Sequence, residues 1–170
     1  LELDEKEYLK FLDIVCIGTI SDIVPLVDEN RVISKLGLKL VEVTKESFFV
    51  GVKDLKEGSR LGDLGYKIQS YCESYGFGIV RELCGHGIGR EMHEDPQVPN
   101  YGTPGHGFRL KKNMTIAVEP MVTLGKRYVE ELEDGWTVVT KDRKPAAHYE
   151  NTILITPQGT EVLTNSDETK

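Results

Sequence analysis

No run in this chain of 170 residues approaches the roughly 18 consecutive apolar residues of a bilayer-spanning helix, and the opening LELDEKEYLK is acidic where a secretory signal would be basic. The expectation is a protein that neither spans nor associates with a membrane. Cysteine is scarce as well: Cys16, Cys72 and Cys84 are odd in number and lack CxxC spacing, which excludes a disulfide framework or a zinc ribbon and fits reduced thiols in a cytoplasmic protein. Basic residues are outnumbered, 21 against 28 acidic, giving a formal net charge of -7 and a pI near 5.2. Nucleic-acid binding needs a net basic face, so none is expected. Repeats of about 20 to 50 residues and low-complexity tracts are also missing. The chain opens on Leu1 rather than Met, which fits a piece of a longer protein or a trimmed chain.

What is present suits a folded domain. Hydrophobic residues make up 39% and charged residues 29%, and the length fits one domain, or a small one with an appendage. Residues 1–20 predict a helix buried on most sides, stopped or kinked by Pro25. A second, long helix follows, with Asp28 or Asn30 as N-cap. Val32, Ile33, Leu36, Leu40, Val43, Phe48, Val52 and Leu55 recur at helical steps up to Gly58. Leu61, Leu64, Ile68, Tyr71 or Cys72, and Tyr75 predict a third helix closed by Gly76. Beyond it the period becomes strand-like in FGIVREL, MTIAVEPMVTL, RYVEELE, WTVVT and HYENTILIT. Helices first and strands after predict an α+β fold, an antiparallel sheet covered on one face by helices.

Residues 84–96, CGHGIGREMHEDP, gather His86, His93, Glu91, Glu94, Asp95 and three glycines in thirteen positions. Glycines around His86 fit a turn in which backbone passes close to a ligand. On composition alone, a glycine-flanked His is ordinarily a turn residue and a lone Glu after a β-run a solvated strand end.

Residues 39–163 resemble the C-terminal half of a bacterial-type methionine aminopeptidase. The resemblance runs in order through LVEVTKES, LKEGSRLGDLGYKIQSY, CGHGIGREMHEDPQVPNYGTPG, MTIAVEPMV, EDGWTVVTKDRKPAAHYENTILIT and GTEVLT. It implies half of a pita-bread (creatinase/aminopeptidase) fold, with an N-terminal helical segment. It also implies a divalent metal ion, Mn, Fe, Co or Zn, held by His86, Glu119 and Glu150, and a substrate that is a peptide or nascent-chain N-terminus. Glu119 would also shuttle the proton of the attacking water, and His93 would hydrogen-bond the substrate amide. Met92 and Trp136 match pocket-lining positions and read equally as ordinary core. His148 is two residues from Glu150 on one strand face and supports the site at most indirectly. His106 reads as a surface residue, and Glu91, Glu94 and Asp95 are not expected to be ligands.

The family's other half carries two bridging aspartates, a further substrate-contacting histidine and part of the pocket, and their motifs do not appear here. The resemblance therefore implies a metalloaminopeptidase-type site of weak or no activity in this chain, with an inactive recombined half-domain as the alternative. An uncovered sheet edge favours association, including a homodimer that pairs as the family's two halves do. Residues 1–38 are similar to a RecJ-type exonuclease of the DHH phosphoesterase family, through FLDIVCIGTISDIVPLVDENRVISKLGL. That likeness marks Asp22 as a metal aspartate, but no other ligand of that family accompanies it, and a solvated residue near a helix end is the preferred reading. The expected division is residues 1–38 and 39–170, joined inside the long helix, where only the apolar phase must agree.

Overall fold

The computed structural model describes residues 28–164, with side-chain surroundings from residue 35 onward. The expected first helix, Pro25, Cys16 and Asp22 lie outside those residues. Helix α1 spans Asp28–Val52 and passes unbroken through the expected join at residues 38–39. Its buried stripe is Leu40, Val43, Thr44, Ser47, Phe48 and Val52, the three- and four-residue recurrence read from the sequence. The two hydroxyls in that stripe are paired within the helix, Thr44 donating to the Leu40 carbonyl and Ser47 to the Thr44 carbonyl, both at 2.7 Å. The helix ends earlier than expected. Leu55 is buried from a turn in which its N–H donates to the Val52 carbonyl, so its apolar spacing continued the pattern without continuing the helix.

Helix α2 spans Leu61–Ser74 and buries Leu61, Leu64, Ile68 and Cys72. Its end is the predicted one: Gly76 has φ 79°, its N–H donates to the Glu73 carbonyl, and the Phe77 N–H reaches back to the Cys72 carbonyl. Its start is tied to a loop. Leu61 and Gly62 donate to the carbonyls of Phe108 and His106, while the Asp63 carboxylate accepts from the N–H groups of Arg60 (3.1 Å) and Gly105 (2.7 Å).

The strands are β1 (Gly78–Ile79), β2 (Gly85–Ile88), β3 (Glu94–Val98), β4 (Thr115–Val118), β5 (Met121–Thr123), β6 (Val129–Glu131), β7 (Val138–Thr140), β8 (Ala146–His148), β9 (Asn151–Ile155) and β10 (Thr160–Val162). Five form one sheet in the order β10-β9-β4-β2-β3, three form another in the order β1-β5-β8, and β6 and β7 make a hairpin. Every pairing is antiparallel. This is the mixed α+β, antiparallel arrangement expected of half a pita-bread fold. The helices pack on each other, α1 against β5 and β8 and α2 against β1, and the larger sheet adds Ile116, Val118, Ile153 and Ile155 to the same core. Among the described residues no helix is long and apolar enough to cross a membrane.

Strands β2 and β3 were not expected, because glycine and proline mask their alternation. The run FGIVREL pairs only at Gly78 and Ile79. Cys72 is fully buried, and burial pushes its thiol up to about 11.

Helix α2 and the loop after β3 approach closely at Gly65, where an added Cβ would run into the carbonyls of Tyr101 and Pro99. These are backbone atoms that cannot swing aside. Alanine gains about 1 kcal/mol in helix propensity over glycine, whereas overpacking costs about 1–3 kcal/mol. Gly65→Ala is therefore expected to lower the urea midpoint at unchanged m-value, with a net loss of up to about 2 kcal/mol.

Candidate metal centre

Strands β4 and β9 pair from Thr115↔Leu154 to Val118↔Asn151, and β5 and β8 resume at Met121↔His148 without a register shift. One ladder thus crosses from one sheet to the other through Pro120. There the Tyr149 N–H donates to the Pro120 carbonyl at 3.2 Å, and Pro120 has no N–H to return. The neighbouring position, Glu119 facing Glu150, is then a non-hydrogen-bonded pair, where opposite side chains stand closest. Two carboxylates directly opposite repel each other. The arrangement calls for positive charge between them.

The third side chain comes from β2. Its register, Gly87↔Ile116, sets His86 beside Ala117, two residues before Glu119 and on the same face. Donor atoms of His86, Glu119 and Glu150 all lie within 4.8 Å of one another, with His86 and Glu119 half-buried and Glu150 exposed. The His86 ring is oriented for ligation. Its Nδ1 lies 2.9 Å from the Gly87 carbonyl, which can only accept, so Nδ1 carries the hydrogen. In the neutral ring Nε2 is then a free lone pair, 3.8 Å from Glu119 Oε1. A backbone carbonyl fixing the tautomer is the support that metal-bound imidazoles ordinarily have. One imidazole nitrogen and two carboxylates suit a divalent ion such as Mn, Fe, Co or Zn.

The expectation of a turn around His86 is corrected: Gly85–Ile88 is a strand inside the five-stranded sheet. Close approach is still the reason for glycine. A Cβ at Gly85 would strike the Ala117 carbonyl of β4.

Other residues singled out in the sequence are placed as follows. The His93 ring lies 4.1 Å from that of His86, tilted by 47°, immediately before β3. His148 Nε2 is 3.2 Å from Glu119 Oε2. That hydrogen bond raises the His148 pKa above its ordinary 6.5 against the opposing effect of burial, with the charges of Glu119 and Glu150 adding to the rise. Glu94 is occupied in a turn, accepting the Glu91 N–H at 2.8 Å, and none of Glu91, Glu94 and Asp95 joins the cluster. His106 is exposed, with Nδ1 2.9 Å from the Pro104 carbonyl. Met92 and Trp136 are 72% and 88% exposed. An apolar hollow lies beside His148, lined by Val80, Leu83, Met121, Val138 and Ala147.

Sequence reasoning missed Asn100. Fully buried, it donates from Nδ2 to the Glu119 carbonyl at 2.8 Å. A single Asn in PNYG reads as a turn residue, and its contact 19 positions away leaves no local signal.

Residues 14–157 match metallopeptidase family M24. A methionine aminopeptidase of Clostridium acetobutylicum is 54% identical over 132 residues, 78% of this chain and 53% of that protein. One from Salmonella typhimurium is 43% identical over 171 residues, covering 95% of this chain and 63% of its own length. The crystal structure of the Thermotoga maritima methionine aminopeptidase superposes with a TM-score of 0.75 at 52% identity, over 82% of this chain and 53% of that one. The chain spans about half the length of the curated clostridial relatives it matches.

The pair of His148 and Glu119 has a direct consequence for the metal-free protein. A His whose pKa is raised by folding stabilises fully below the ordinary value, and that contribution is lost as pH rises through the raised value. His148 is half-exposed, so screening keeps the effect under about 1 kcal/mol. In EDTA, wild type should exceed His148→Gln in stability at about pH 5.5 and match it by about pH 9, a comparison that denaturant melts at the two pH values would make.

Proposed function

The chain belongs to metallopeptidase family M24, and from that premise we propose that it carries half of a methionine aminopeptidase-type centre, able to hold a divalent ion but of weak or no peptidase activity by itself. The convergence of His86, Glu119 and Glu150 within 4.8 Å carries this reading. When bound there, a divalent ion supplies Lewis-acid polarisation and acidifies water. The chain's own residues do the rest. Glu119 takes the proton of the attacking water on a carboxylate oxygen and delivers it to the leaving amine. His93, stacked beside His86, donates to the substrate amide as charge develops. The substrate class is a peptide or nascent-chain N-terminus carrying Met, whose apolar side chain Met92 and Trp136 would help to enclose. Activity is weak because three ligands from one ladder and one strand hold a single ion loosely.

A second reading is favoured by the exposure of Met92 and Trp136. A homodimer would cover them and close the pocket, pairing two copies as the two halves of the family fold pair.

The division into residues 1–38 and 39–170 stands as a proposal of origin, supported by the RecJ-type stretch FLDIVCIGTISDIVPLVDENRVISKLGL. The M24 match begins at residue 14 and so overlaps that segment. If the segment is a graft, deletion of residues 1–27 leaves metal affinity unchanged in a calorimetric titration, and loss of binding would refute the graft.

Titration of the full chain with Mn, Fe, Co or Zn, coupled to a Met-peptide assay, tests the functional reading. One equivalent should bind with turnover near background. His86→Ala should weaken binding by more than the ~10–100-fold that loss of an outer-shell partner costs. Absence of binding would remove the metal reading, and robust turnover by a monomer would remove the weak-activity one. Size exclusion on the same sample should elute near twice 19.1 kDa if the dimer forms, and a monomer sinks that reading.

A further inference from the structure

We propose that Asn100 is a positioning residue for the metal centre, holding the backbone of Glu119 so that its carboxylate faces His86 and Glu150. The inference rests on the metal reading above and goes beyond it, since Asn100 supplies none of the three candidate ligand atoms.

Three observations carry it. First, the ladder between β2 and β4 runs out one step too early to fix Glu119. The pairing Gly87↔Ile116 and Ile88↔Thr115, continued, would set Glu119 opposite Cys84, but β2 begins at Gly85. The Glu119 carbonyl therefore has no strand partner on that side, and on the other side it faces a non-hydrogen-bonded position. Asn100 supplies the missing donor, its Nδ2 lying 2.8 Å from that carbonyl.

Second, the amide orientation is fixed by the contact itself. A carbonyl accepts only from the NH2 end, so Oδ1 points elsewhere, and it is buried with no hydrogen-bond partner. A buried acceptor left unpaired is unfavourable. An apolar side chain of the same size would avoid that cost, so the donor end is what the position requires.

Third, Asn100 is itself held. It follows Pro99 in the loop whose backbone lies against Gly65 of α2, and the same loop is tied to the start of α2 through Asp63 and Gly105. The Asn100 side chain is 0% exposed and has no room to choose another partner. Helix, loop, amide and carbonyl form one line of contacts ending at Glu119, and next to Glu119 stands Pro120, which cannot donate a ladder bond of its own.

Two near-isosteric variants separate donation from shape. Asn100→Asp puts an oxygen against the Glu119 carbonyl in place of the donor, and Asn100→Leu removes both the donor and the unpaired acceptor. Each is compared with wild type and His86→Ala by calorimetric titration with Mn2+, by the visible absorption of bound Co2+, and by circular dichroism of the metal-free chain. The expected result is affinity about tenfold or more weaker in both Asn100 variants, in the range of outer-shell substitutions, with an altered Co2+ spectrum. Metal-free Asn100→Leu should melt within a few degrees of wild type. Wild-type affinity in either variant overturns the inference, as does a loss that merely follows the unfolded fraction. Failure of wild type itself to bind Mn2+ or Co2+ would overturn the metal reading along with this one, whereas binding abolished by His86→Ala but untouched at Asn100 would overturn this one alone.

Discussion

One antiparallel ladder, kept in a single register from Thr115↔Leu154 to Thr123↔Ala146, is what everything else in this structure depends on. It joins the two main sheets, and Pro120 interrupts its hydrogen bonds at the crossing without shifting its count. Because side chains alternate by two, an unshifted register forces Glu119 and Glu150 onto one face and opposite each other. A slip of one residue would separate the carboxylates and turn Ile116, Val118, Ile153 and Ile155 away from the core they fill. Core packing and the geometry of the centre are thus enforced by the same pairing.

The core was legible because it obeys simple periods. Leu61, Leu64, Ile68 and Cys72 announce α2 by their spacing, and Gly76 announces its end. Strand β2 was not legible, because its glycines are there for crowding rather than for a turn, Gly85 against the Ala117 carbonyl of β4 and Gly87 against the Asp95 and Glu94 carbonyls, and crowding by neighbouring strands is invisible in GHGIG. The same holds for the end of α1. Leu55 is buried as predicted but reaches the core from a turn, since burial constrains a side chain's position and leaves the backbone path open.

The centre was legible in a different way. His86, Glu119 and Glu150 were named by resemblance to an aminopeptidase family, because separations of 33 and 31 positions erase any local signal of their meeting. The structure adds what a motif does not contain: the tautomer of His86, set by the Gly87 carbonyl, and the pairing of His148 with Glu119. His148 belongs to the site through the continuous register, since its partner Met121 stands two residues from Glu119 on the ladder. Its distance from Glu150 in sequence happens to report the same face because the count is never broken.

The metal-free centre holds its charges at a cost that folding elsewhere must offset. Two facing carboxylates repel, and His148 relieves part of that by donating to Glu119 while its proton remains. Above the raised pKa of His148 this relief is gone, and the divalent ion proposed for His86, Glu119 and Glu150 would then be what neutralises the pair. The fold does not hold the carboxylates together by their own attraction. It holds them by backbone, through the ladder on one side of Glu119 and the Asn100 amide on the other, so the electrostatic strain is present before any ion arrives. Metal binding as proposed would then release strain instead of creating order, at a centre assembled from one ladder and one strand and open on the Glu150 side.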